Sequence, residues 1–166
     1  MGDAGMRTVV IGIGNSVLTD DSVGQHVVRC LAPHLEGRTD VRTHEMCTGG
    51  LDLMEAMAGF DRAILIDAMV SPEGRPGAIH RLEEADWPRT RNSGSTHDAS
   101  LAVALDLGRM AGLHLPEKIT TWAVEAGDVE TVGEELTEAV GRAVPAVVRM
   151  VLQQLAETGG NGGEQS

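Results

Sequence analysis

The chain predicts a single α/β domain, with a twisted, mostly parallel central sheet and helices on both faces. Three observations carry that prediction. Short apolar runs at Val9 to Ile11 and Ala63 to Ile66, with a further strand stretch at Ile119 to Val124, alternate with helical apolar periods. The run Ala63-Ile64-Leu65-Ile66 is continuously apolar between Arg62 and Asp67, the mark of a strand buried on both faces. Aromatics are scarce, with one Phe, two Trp and no Tyr, so the core must come from Val, Leu, Ala, Ile and Met. Such a core suits a helix-covered sheet better than a β-sandwich.

Taken in order, Arg7 to Ile13 reads as the first strand, ending in the turn Gly12-Ile13-Gly14-Asn15. Asp20, Asp21 and Ser22 precede an apolar helical period at Val23, Val27, Leu31 and Leu35, which Pro33 ends or bends. One aspartate of the pair suits a helix cap, leaving the other for chemistry. A second strand is predicted at Val41 to Met46 and a short helix at Leu51 to Ala58. The buried run ends at Asp67, and a further strand, suited to an edge, follows at Ala78 to Leu82. From Glu83 to Thr96 there is no period, and a connection of that length predicts mobility or function. Thr96 can cap a helix running to about Gly112. After the strand Ile119 to Val124 comes an irregular loop from Glu125 to Gly133. The longest helical period runs from Leu136 to Leu155, and Pro145 inside it predicts a kink or two abutting helices. The domain is expected to span residues 1–157, with a disordered polar tail at 158–166.

Charge narrows the partners. With 13 basic and 25 acidic residues the formal net charge is −12. That argues against nucleic acid and against anionic membrane surfaces. No apolar segment is long enough to span a bilayer and no signal peptide precedes the first strand. Cys30 and Cys47 are the only cysteines, so a reduced, cytoplasmic protein is the simple expectation.

Several motifs fail by one position. G-x-G-x-x-G would need glycine where Val17 stands, and the two aspartates would repel a pyrophosphate. His44-Glu45-Met46-Cys47-Thr48 lacks the second histidine of H-E-x-x-H and lies on a predicted strand. Gly94-Ser95-Thr96 is no nucleophile elbow. Cys47 near His44 is too slight a pairing to make a thiol nucleophile. Three side chains remain. Asp21 and Asp67 follow strands expected to run parallel, so both fall on the carboxyl rim of the sheet. His97 opens a helix, where the dipole favours a neutral ring. Two carboxylates and one imidazole make an oxygen-oxygen-nitrogen set suited to a borderline divalent metal such as nickel or zinc.

The same residues occur in a telling order: Gly12-Ile13-Gly14-Asn15, Leu18 with Asp20-Asp21 and Gly24, Thr48 to Gly50, Asp67-Ala68, and the His97 segment. In that order, over roughly residues 7 to 155, the chain resembles the hydrogenase maturation endopeptidases, which trim the C-terminus of the nickel-iron hydrogenase large subunit. The resemblance implies a three-layer sandwich of phosphorylase/hydrolase-like type. It implies a hydrolase, a metal-dependent protease of aspartic or metalloprotease type, with Asp21, Asp67 and His97 as metal ligands. The metal would be nickel supplied by the substrate, the partner a large-subunit precursor, and the working form a monomer. No catalytic base is assigned. Where many relatives carry an acidic residue followed by glycines, this chain reads Glu45-Met46-Cys47-Thr48-Gly49-Gly50, which leaves the roles of Glu45 and Cys47 open. A non-catalytic nickel chaperone and a nucleotide-binding module are the competing expectations.

Overall fold

β1 (Thr8–Ile13) is buried at every residue, as a central strand of its apolar run must be. The computed structural model describes residues 5–47, 49–89 and 96–159; the side chains of 87–100 and of 158 and 159 lie outside it. β1 pairs in parallel with β2 (Val41–Met46) on one side and β3 (Arg62–Met69) on the other. β5 (Lys118–Glu125) continues the sheet in parallel from β3, and β4 (Ile79–Glu83) closes it as an antiparallel edge. The order is β2-β1-β3-β5-β4.

Alternation along the strands feeds two cores. Val10, Ile64, Ile66 and Val124 face α1 (Val23–Leu31) and α4 (Glu138–Gly159). Val9, Ile11, Leu65 and Ile119 face α2 (Leu51–Met57) and α3 (Thr96–Met110). Helix, sheet and helix thus form three layers, as the sequence predicts.

Details differ from expectation. α1 gives way at Ala32–Leu35 to a 3-10 turn with Pro33 at its start, so proline tightens the last turn. α4 runs unbroken through Pro145 instead of splitting into two helices. Pro145 is exposed, so the Gly141 carbonyl that it deprives of a partner lies toward water. Glu84–Arg89 forms a 3-10 helix where no period was visible, because so short a run carries no 3.6-residue pattern. Residues 90–95 of the same connection lie outside the described residues. α4 extends to Gly159, two residues into the expected tail; residues 160–166 also lie outside.

α3 runs opposite to β5. Its last turn closes with Leu113 N–H on the Gly108 carbonyl and Gly112 N–H on that of Arg109, the double bond of a Schellman end. Arg109 reaches Glu84, next to the end of β4 that lies beside the start of β5. The 15 residues of α3 span about 22 Å, enough to return its first turn to the carboxyl edge of the sheet.

Candidate active site

The chain leaves β1 for β2 on one side, and the next parallel strand, β3, lies on β1's other side. That reversal opens a crevice at the carboxyl ends of β1 and β3, where open α/β sheets bind ligands. The β1–β3 ladder ends at Gly12 and Ile66, so Asp67 is the first β3 residue beyond it. Asp67 is not strand-terminal, as the sequence suggested. β3 continues beside β5 to Met69, with Asp67 opposite Ala123, and the aspartate is buried. Its Oδ1 accepts the Ala68 N–H at 2.8 Å.

The glycine turn explains how Asp21 reaches this crevice. Gly14 has φ +148, and a Cβ there would lie 1.8 Å from the Asp21 carbonyl oxygen. A Cβ on Gly24 would fall 2.2 Å from the Ile66 carbonyl oxygen, one residue before Asp67. Glycine therefore allows the Asp20–Ser22 turn and the start of α1 to rest directly on the ends of β1 and β3. Asp21 is buried, and its Oδ2 accepts the Asn15 N–H at 3.0 Å.

Neither aspartate of the pair caps a helix. Asp20 is fully buried and accepts four hydrogen bonds, from the N–H groups of Gly127, Asp128 and Thr137 and from the Thr137 hydroxyl. Thr19 and Asp20 also donate their N–H groups to the carbonyls of Thr131 and Asp128. The Thr131 hydroxyl and N–H, with the Glu130 N–H, hold the Asp128 carboxyl below the usual aspartate range. Asp20 thus clasps the loop before α4, and the two neighbouring carboxylates have separate surroundings.

His97 lies in the first turn of α3, the element predicted for it, but its side chain is outside the described residues. Among the described residues, no three His, Cys, Asp or Glu side chains gather closely enough to hold a metal. Glu45 is exposed on β2 and pairs with Arg29 at 2.6 Å. Cys30 and Cys47 are free and exposed.

Two polar residues escaped the sequence reading. Gln25 is buried in α1 and donates its amide to the carbonyls of Gly14 and Met46, tying the ends of β1 and β2 together. No local signal marked it, because the same helix also carries the polar residues His26 and Arg29. Glu125 was read as loop but is the buried last residue of β5. It accepts the N–H and hydroxyl of Ser71, fixing the connection that leaves β3.

Comparison with known proteins agrees with this architecture. The family model for hydrogenase maturation protease matches residues 25–154. The hydrogenase 2 maturation protease of Escherichia coli (strain K12) is 32% identical over 156 residues, covering 93% of each chain. The hydrogenase expression/formation protein HupD of Rhizobium leguminosarum bv. viciae is 27% identical, over 92% of this chain and 76% of its own. The solved hydrogenase maturating endopeptidase HybD from E. coli superposes with a TM-score of 0.78 at 30% identity, covering 93% of this chain and 94% of that one. On sequence and on fold together, the chain belongs to the hydrogenase maturation protease family.

Proposed function

We propose that this protein is an endopeptidase that removes the C-terminal extension of a nickel-iron hydrogenase large-subunit precursor, recognising nickel already seated in that substrate. The observation that carries this reading is the crevice between β1 and β3, with the Asp21 turn packed on its β1 side and Asp67 on its β3 side. Asp20 is committed to its clasp, which favours Asp21 as the ligand of the pair. His97 in the first turn of α3 supplies the third donor.

The precursor brings the metal. A divalent ion supplies Lewis acidity toward a peptide carbonyl or a water molecule, and two carboxylates with an imidazole suit an ion of nickel's character. The protein's own part is to test for the ion and to hold the adjoining peptide bond beside it. The strongly acidic surface supports a protein substrate over nucleic acid or membrane. We read the working form as a cytoplasmic monomer.

The decisive experiment incubates the protein with nickel-loaded and nickel-free precursor and reads both by intact mass. The loaded precursor should lose its C-terminal peptide and the nickel-free one should keep it. Retention in both would leave a nickel chaperone in place of a protease. Cleavage of both would remove nickel recognition from the mechanism.

A further inference from the structure

α3 is apolar on two sides. Leu101, Ala104 and Leu105 face the core, while Val103, Leu107 and Met110 form a second row that is 56%, 54% and 84% exposed. Their spacing of four and three residues keeps them on one stripe. Leu51, the first residue of α2, is 59% exposed. Leu51, Val103, Ala104 and Leu107 line a groove of about 380 Å³, together with Gly49, Gly50 and Asp52. Single exposed apolar residues are ordinary, but a contiguous concave set marks an interaction site.

The groove is built on elements that also lead to the candidate active site. Gly49 and Gly50 follow closely on Met46, the last residue of β2, and the carboxyl end of β2 stands beside that of β1. Val103 lies six residues along α3 from His97, about 9 Å of helix axis. That is roughly three residues of extended chain. Charge also selects the occupant. Asp52 lines the groove, Glu55 and Asp106 are exposed on the two helices that bear it, and Arg109 is paired with Glu84 and Asp106. An acidic rim on a chain of net charge −12 repels a second copy of itself and attracts a basic one.

The geometry points to this groove as the subsite for an extended segment of the precursor beside the scissile bond. The segment places an apolar side chain about three residues from the bond, against Leu51 and Leu107, with basic residues flanking it. This inference rests on the proposed function, because it takes the crevice as the point of cleavage.

The test measures binding of fluorescently labelled, full-length, nickel-loaded precursor at low and high salt, with cleavage followed by intact mass. Leu107→Glu and Val103→Glu alter exposed positions, and thermal unfolding confirms that each variant folds. Both should weaken binding by roughly tenfold or more, with KM raised and turnover at saturating precursor unchanged. Asp52→Lys combined with Asp106→Lys should weaken binding at low salt and flatten its salt dependence. Wild-type affinity in both folded glutamate variants overturns the subsite, and so does a loss confined to kcat. If precursor binds the wild type without being cut, the proposed cleavage falls and the groove is judged on the binding data alone. If precursor does not bind the wild type, both fall.

Discussion

Asp20 and Asp21 are neighbours in sequence with different surroundings. Asp20 accepts four hydrogen bonds from protein donors, so Asp20→Asn turns an amide toward donors that need an acceptor. A loss of about 2–4 kcal/mol is expected, measured by urea denaturation. Asp21→Asn and Asp67→Asn preserve shape and remove a charge. They should retain the fold while abolishing precursor processing, read by intact mass on matched amounts of folded protein. Processing that survives in Asp21→Asn but fails in well-folded Asp20→Asn would reverse the assignment of the pair. The sequence brought Asp20 and Asp21 forward together but misread their surroundings. A cap is a local device, and a sequence window of a few residues suggests it readily. The partners of Asp20 lie more than a hundred positions away, where no local pattern could announce them.

At the scale of elements, close backbone contact is what sets the crevice. Gly24→Ala would push its methyl into the carbonyls of Ile66 and Ile13, both of which are backbone and cannot rotate aside. Destabilisation of at least about 1–3 kcal/mol is expected, with processing reduced more than the fraction unfolded, because the shift carries Asp21 away from Asp67. Equal losses of fold and of activity would show that the contact serves stability alone. A second junction lies at the amino edge, where Asp61 accepts the Arg7 N–H at 2.7 Å and meets His114 at 2.8 Å. The Arg7 N–H first, and the His114 ring second, hold the Asp61 carboxyl below its usual range. A carboxyl depressed in the folded state contributes stability above its unfolded pKa and loses it as pH falls through the lower folded value. Asp61→Asn should therefore be less stable than wild type near neutrality and show a shallower loss on acidification. Parallel stability curves from neutral to acid pH would dismiss that coupling.

Over the whole molecule, the sheet was legible because buried parallel strands advertise themselves as apolar runs, as β1 and β3 do, while β5 is marked by its β-branched Ile119, Thr120, Thr121 and Val124. Strand order was not legible, since nothing in β2 or β4 states which neighbour it takes. The crevice followed from the expectation that the strands are parallel; the groove on α3 did not, because an apolar residue on a helix looks the same whichever way it faces. The Asp20 clasp also has a consequence in time. It joins the turn after β1 to the loop before α4, and the synthesising ribosome releases those segments more than a hundred residues apart. Asp20 cannot complete these hydrogen bonds until that distant loop has emerged and docked. A nascent chain thus carries Asp20 without these partners through most of its own translation. The turn after β1 gains its full set of hydrogen bonds only when nearly all of the chain exists.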